Sequence, residues 1–372
     1  MADSFDLAVV GSGIVGLAHA LAAARRGLRV VVIDRDRQAN GASIRNFGLV
    51  VVTGQEPGPS RRQAERSRRI WLELANEAGI EILQRGKLIA AQRPEALAVL
   101  EAFKAGEHGA DCKLLTARET VAQLGGLDGK AIIGGLFSPF ELRVESREVL
   151  PRLASFLAER FGVVFRTGIS VTEIAPPVVE TSAGRVRARK VVICPGDDFS
   201  TLYPQRIGKH DVQRCKLQML RLAYPGFRLS SALMSDLSLL RYGGFAGLPE
   251  AAALRSKLGE QSAAALANGV HLIVVQSADG SLVVGDSHHY GLALDPFGSE
   301  AVDRLILDEF KTLFGKVPDV LARWTGSYAS TKNAVLRDAP HTDARLVIVT
   351  SGTGASTGFG LGEETIEELF GQ

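Results

Sequence analysis

The chain has 372 residues, enough for two domains, and its 43 basic and 41 acidic side chains leave a net charge of +2, which excludes bulk attraction to nucleic acid or an anionic membrane. No run of about 18 apolar residues predicts a membrane span, and the opening "MADSFDLAVV" lacks the basic region of a secretory leader. The three cysteines, Cys112, Cys194 and Cys215, form no CxxC pair, and this usage suits reduced thiols in the cytoplasm.

The first elements read strand, glycine turn, helix, strand. Leu7 to Val10 is a continuous apolar run, as expected of a strand buried on both faces. An Ala/Leu-rich helix from Ile14 to Arg26 stops at Gly27, and a second strand runs from Arg29 to Ile33. Between strand and helix, Gly11, Gly13 and Gly16 form GxGxxG. Gly11 suits the tight turn, Gly13 lets backbone approach a pyrophosphate, and Gly16 allows close helix–strand packing. The helix N-terminus, with Ser12, Ile14 and Val15, then offers N–H groups to phosphate. Asp34 at the end of the second strand suits a ribose hydroxyl. It argues against a 2′-phosphate on Arg35 and Arg37. This motif alone fits an NAD(P)-dependent dehydrogenase as well as a flavoprotein.

Further along come a helix from Ser60 to Glu77, a strand "GKLIAAQ" and a helix from Pro94 to Glu107. Residues 131–142 read as irregular with short strands. Ser146 caps a helix through Arg160, with Glu148 in its first turn. Residues 163–193 contain several strand-like runs, the last ending in "VVICPG". The region 210–290 is strand-rich, including "CKLQMLRL", "LSLLRYGG", "VHLIVVQS" and "GSLVVGDSHHYG". Within it the Ala-rich stretch 251–268 reads as a surface helix or a mobile segment. An amphipathic helix from Ser299 to Phe314, a buried strand "RLVIVT" and a helix from Gly358 to Phe370 complete the chain. The simplest architecture is an α/β nucleotide-binding domain interrupted by a mostly antiparallel β domain with helices.

The segments "VVGSGIVGLAHALAAARRGLRVVVIDR", "ASIRNFG", "VVICPG", "KLQMLR", "DGSLVVGDS", "WTGSY" and "VTSGTGASTGFG" together resemble the D-amino acid oxidase/glycine oxidase/sarcosine oxidase superfamily of FAD oxidoreductases. The resemblance implies a Rossmann-like FAD-binding domain of the D-amino acid oxidase type at 1–80, 143–205 and 323–372. It implies an antiparallel substrate-binding domain at 81–142 and 206–322. "SIRNFGLV", "CKLQMLRL", "GDSHHYG" and "TSGTGASTGF" are similar to a bacterial subgroup associated with phosphonate catabolism. That likeness implies 2-aminoethylphosphonate-like substrates, N-alkylated forms included.

The resemblance places Ser43, Ile44, Arg45, Asn46, Phe47 and Gly48 beside the flavin, with Val171, Pro195 and Gly196 also at the cofactor. It sends the last glycine turn along the flavin, where Gly352 and Gly354 allow close approach. Ala355, Ser356 and Thr357 then stand at a helix N-terminus aimed at the pyrimidine edge. No cysteine precedes that turn in "RDAPHTDARLVIVTSG", so the flavin is expected to be non-covalent.

Superfamily members that oxidise α-amino acids carry W-x-G-x-R-P, whose Arg forks the substrate carboxylate. Here the segment reads Trp324-Thr325-Gly326-Ser327-Tyr328-Ala329, with Tyr328 at the Arg position. Another group must hold a substrate anion, and the candidates are Arg45, Arg241, Lys332, Arg337, His288 and His289. Strand alternation lets only one of the two histidines serve one site, and His288 is favoured. Arg241 and Tyr242 resemble the family's active-site Tyr strand. Lys216, sharing a strand face with Gln218, is a candidate for assisting oxygen.

The expected reaction is hydride transfer from the carbon beside a neutral amine, then imine hydrolysis, with oxygen as electron acceptor and no metal. A glycine-, sarcosine- or D-amino acid-type oxidase and a non-catalytic flavin subunit are the other readings.

Overall fold

A computed structural model describes residues 4–124 and 126–371; residues 1–3 of the opening stretch, where a leader would begin, lie outside it. In chain order the first half contains β1 (Ser4–Val10), α1 (Ile14–Arg25), β2 (Val30–Asp34), β3 (Leu49–Val50) and α2 (Pro59–Glu77). It continues with β4 (Gln84–Ala91), α3 (Pro94–Ala105), β5 (Lys113–Thr116), α4 (Ala117–Leu124), β6 (Gly134–Arg143) and α5 (Ser146–Phe161). Then follow β7 (Val164–Thr167), β8 (Val171–Ala175), β9 (Val178–Thr181), β10 (Gly184–Ile193), α6 (Pro204–Ile207), β11 (Gln213–Leu222) and β12 (Ala232–Ser235). The short helices α7 (Gly243–Ala246), α8 (Ala251–Gln261) and α9 (Ala263–Ala267) precede β13 (Ile273–Gln276), β14 (Leu282–Gly285) and β15 (His289–Gly291). The chain closes with α10 (Glu300–Phe314), β16 (Val320–Ser330), β17 (Val335–His341), β18 (Ala344–Val349) and α11 (Gly354–Phe370).

Two sheets organise these elements. The first has the order β17-β18-β10-β1-β2-β7, with the β8–β9 hairpin joined to β10. Strands β18, β10, β1, β2 and β7 run parallel. Both faces of this sheet are covered, which explains the unbroken apolar runs. Val30 and Val32 of β2 enter the core beneath α1, α2, α5 and α11, while Val31 and Ile33 enter the core on the opposite face. The second sheet has the order β15-β11-β14-β13-β12-β4-β6-β3, with β16 on β11 and β5 on β6. It is antiparallel except for the β4–β12 pair. The interrupted α/β architecture is therefore the observed one. Strand β16 belongs throughout to the second sheet, so the boundary at 323 falls inside a strand.

Several local expectations change. Residues 134–143 form one ten-residue strand rather than short pieces. Its Pro139 sits where the register with β4 shifts, so the missing N–H breaks no ladder bond there. "LSLL" is a 3₁₀ turn over Asp236–Leu240 and not a strand. Glu145, not Ser146, is the N-cap of α5. Ser146 instead bonds the side chain of Asn46 at 3.1 Å. The stretch 251–268 folds as α8 and α9 with Leu254 and Leu258 fully buried. Finally, α11 starts at Gly354, four residues before the expected start. Its glycines serve packing: a Cβ on Gly362 would lie 2.9 Å from the Ala18 backbone of α1. Among the described residues no helix is long and apolar enough to cross a membrane.

Candidate active site

The first glycine turn opens into a cavity of about 630 Å³ lined by residues of both sheets. Gly11 has φ +104°, and a Cβ there would overlap the Cys194 carbonyl oxygen; a Cβ on Gly16 would overlap the carbonyl oxygen of Gly11. Gly13 and Gly16 line the cavity with Ile14 and Val15. The Ile14 N–H donates to Ser43 Oγ at 3.0 Å, which ties the loop after β2 to the helix start. The Asp34 carboxylate accepts from Ser12 N–H at 2.6 Å and from Ser12 Oγ at 2.7 Å. Asp34 therefore braces the turn while also lining the cavity, and Ser12 faces Asp34 instead of the cavity. The adjacent Arg35 pairs with Asp198 at 2.5 Å.

Loop 42–48 holds its own shape. Asn46 Nδ2 donates to the Ala42 carbonyl, and Asn46 Oδ1 accepts from Gly48 N–H at 2.6 Å. Its amide is thus committed to the loop and to Ser146, although Asn46, Ser43, Arg45 and Phe47 all line the cavity. Gly48 does not; it has φ +64° and packs on the Val144 backbone. Val171, Pro195 and Gly196 line the opposite wall, and Cys194 joins them. Burial raises the Cys194 thiol pKa far above its usual range, which suppresses its reactivity.

At the last glycine turn, Gly352, Gly354, Ala355 and Ser356 line the cavity. A Cβ on Gly352 would lie 2.9 Å from the Tyr328 ring. Of the hydroxyls expected as donors, Thr357 Oγ1 donates to the Thr353 carbonyl, whereas Ser356 Oγ accepts from Val51 N–H and keeps its own hydrogen to donate. Their N–H groups also bond the Thr353 carbonyl. Gly354 and Ala355 make no such bond, so their amides are the helix donors that remain.

The second sheet supplies the wall facing the loops. Arg241 donates from Nη1 to Tyr290 Oη at 2.5 Å and from Nη2 to Tyr328 Oη at 2.8 Å. Tyr242, His288, Tyr328, Arg45 and Lys332 share the cavity with Arg241. His289 does not line it and contacts Asn268 Oδ1 at 3.1 Å. Arg337 pairs with Glu364 and Glu368 on α11, outside the cavity. Lys216 is a correction. Its Nζ donates to the carbonyls of Asp295 and Phe297 at 2.7 and 2.9 Å. Gln218 on the same face bonds Ser299 and Asp303, while Leu217 of the opposite face lines the cavity. The Lys216 face therefore packs on the loop before α10 and cannot meet oxygen at a flavin.

His271 and Asp286 are among the cavity residues that escaped sequence reasoning. They exchange backbone hydrogen bonds at 3.2 and 3.0 Å, and both line the cavity beside His288. The signals were faint: a lone polar residue opening the apolar run "HLIVV" and an acid closing "LVVG".

A glycine cradle, a braced acid at the end of β2 and a large two-sheet cavity define a dinucleotide-binding α/β protein. The chain belongs to the DAO family, FAD dependent oxidoreductase, whose model matches residues 6–368. It is 27% identical over 236 residues to the bifunctional protein ThiO/ThiG of Nostoc sp., covering 59% of this chain and 34% of that protein. It is 27% identical over 207 residues to monomeric sarcosine oxidase of Bacillus sp., covering 53% and 52%. The chain therefore spans about a third to a half of the length of these two curated relatives. The structure of glycine oxidase from Geobacillus kaustophilus superposes with a TM-score of 0.77 at 19% identity, covering 98% of this chain and 94% of that one. FAD is the cofactor the family assigns. The cradle of Gly11, Gly13 and Gly16, where a Cβ on Gly11 or Gly16 would overlap a backbone carbonyl, fits its pyrophosphate.

Proposed function

We propose that the chain is an FAD-dependent amine oxidoreductase acting on a small amine that carries an anion, with aminophosphonates of the 2-aminoethylphosphonate type as the favoured class. The observation that carries this reading is Arg241, which faces the cavity with its guanidinium held between the hydroxyls of Tyr290 and Tyr328. It supplies the cation that "WTGSYA" lacks, and it does so from the end of the Asp236–Leu240 3₁₀ turn. A tetrahedral phosphonate can accept from Arg241 and the Tyr328 hydroxyl together, whereas a planar carboxylate matches a guanidinium fork alone.

Bound FAD supplies a two-electron acceptor for the C–H bond beside the substrate nitrogen. The chain's residues bind and orient. Arg241 fixes the anion, Tyr242 and Leu217 wall the amine-bearing carbon, and the braced loop 42–48 closes the cavity toward the glycine cradle. Fixing one end of a two-ended substrate converts encounter into alignment. The oxidised product is an imine, which water hydrolyses, and oxygen is the electron acceptor of this reading.

The experiment is anaerobic mixing of the flavin-loaded protein with an amine panel. Bleaching of the visible flavin absorbance by 2-aminoethylphosphonate or its N-methyl form supports the reading. Bleaching by sarcosine or glycine alone removes the phosphonate assignment. No bleaching by any amine removes the enzymatic reading.

A further inference from the structure

At the far wall of the cavity, His271, Asp286 and His288 form a buried corner that no step above uses. They are 5%, 5% and 7% exposed. Asp286 Oδ2 lies 3.7 Å from His288 Nε2, and Asp286 Oδ1 lies 3.2 Å from His271 Nε2. Yet Oδ1 receives no aligned hydrogen bond from any described residue. His288 Nδ1 stands 2.8 Å from the Gly269 carbonyl, which only accepts, so that nitrogen carries the proton. Its Nε2 therefore presents a lone pair toward the carboxylate. His271 Nδ1 rests on Ser238 Oγ at 3.2 Å, and the two imidazoles stack at 5.0 Å. Burial lowers the His288 pKa to about 3 and that of His271 well below its usual value, so both rings are neutral at physiological pH. Asp286 Oδ1 and His288 Nε2 are thus convergent acceptors short of donors, in a protein where buried polar groups are normally paired.

Two occupants fit such a corner, a metal cation or a protonated amine. The ligand-type atoms of the three residues lie within 4.8 Å of one another. The Arg241 charge acts on all three side chains, and that opposes a second fixed cation. An amine brings its own anion to Arg241 and can give up its proton. We propose that Asp286, flanked by His271 and His288, is the subsite that receives the protonated amine of the substrate and takes its proton. This rests on the amine-oxidoreductase reading.

In the step, the Asp286 carboxylate and an ammonium R₂NH₂⁺ become the carboxylic acid and R₂NH. One N–H bond breaks, its electron pair stays on nitrogen, and one O–H bond forms. The neutral amine is the form whose adjacent carbon can release hydride. His288 Nε2 then accepts from the new acid. Burial raises the Asp286 pKa to about 7, with Arg241 opposing the rise. Other groups acting near the carboxyl are Tyr242, Tyr328 and Cys215, all with pKa values raised by burial and so neutral at this pH. Amine capture therefore strengthens as pH rises through about 7.

The test uses flavin-loaded protein and equilibrium titration of its visible spectrum with three probes. Ethanesulfonate carries the anion alone, propylamine the amine alone, and taurine both. Wild-type protein is expected to bind taurine at least ~10-fold more tightly than ethanesulfonate above about pH 7, with the advantage lost below it. Asp286→Asn removes the taurine advantage and the propylamine affinity while leaving ethanesulfonate binding intact, which also shows that the variant is folded. Equal affinity of wild type for taurine and ethanesulfonate, or an amine advantage that survives in Asp286→Asn, overturns the proposal. Loss of ethanesulfonate binding with propylamine binding retained overturns only the Arg241 anchor.

Discussion

Single residues carry the sharpest tests. Gly11→Ala and Gly16→Ala each place a Cβ on a backbone carbonyl oxygen. Both variants are expected to lose bound flavin, seen as a colourless preparation that stays so when FAD is added. Arg241→Gln should raise the KM for an anionic amine by roughly 100-fold, since a charged, partly desolvated pair is lost. Tyr328→Phe removes one hydroxyl and should cost only about 3- to 10-fold. Tyr328→Arg, which restores the superfamily residue, should weaken substrate binding. It sets a second guanidinium against Arg241, whose Nη2 lies 2.8 Å from the tyrosyl oxygen. Asp286 also links pH to stability. Its pKa rises from 3.8 to about 7 on folding through burial, so the folded state holds a proton that the unfolded state lacks between those values. The Asp286 contribution to stability therefore falls as pH rises from about 4 to 7, opposite in sign to that of the buried neutral His271 and His288, and Asp286→Asn should make thermal stability rise more steeply with pH across that window than in the wild type. The glycine cradle was legible because its spacing is local. Arg241 was legible only as one of six candidates. Asp286 and His271 were not, because they meet only through the antiparallel β13–β14 pairing, which sets the residues flanking the two strands side by side.

At the scale of elements, the misreadings share a cause. "GGLFSPFELR" contains two glycines and a proline, which punctuate like a loop, yet cross-strand pairing with β4, β5 and β3 holds it as one strand. "LSLL" is a short buried apolar run, which periodicity cannot assign to helix or strand. The polar face of β11 reads as a site in one dimension, but the loop before α10 covers it. One element-level device has a measurable consequence. Lys87 of β4 and Glu141 of β6 form a fully buried pair at 3.4 Å. Lys87 Nζ also donates to the Thr53 carbonyl, and Glu141 accepts from Val52 and Thr53 N–H. The pair thus anchors the segment 51–55 that borders the cavity. Lys87→Met should destabilise the protein by about 3–5 kcal/mol by leaving Glu141 unpaired. Adding Glu141→Gln should recover part of the loss in denaturant melts.

For the whole molecule, the interrupted α/β plan follows from hydrophobic patterning: parallel strands buried on both faces, then a long antiparallel excursion. What the pattern could not supply is the meeting of both sheets around one cavity. There the first sheet brings the cradle, the 3₁₀ turn after β12 brings Arg241, and the second sheet brings the Asp286 corner. Among the described residues, the only cysteine bordering that cavity is Cys194, whose thiol pKa is raised by burial. Acid precipitation should therefore release all flavin into the supernatant, and retention in the pellet would mark a covalent link. The central claim, oxidation of an anion-bearing amine by this flavoprotein, is tested most directly by anaerobic titration of the flavin-loaded wild type with N-methyl-2-aminoethylphosphonate. Stoichiometric bleaching, weakened by roughly 100-fold in Arg241→Gln, is the predicted result. An unbleached flavin with this compound and with every other anionic amine would contradict it.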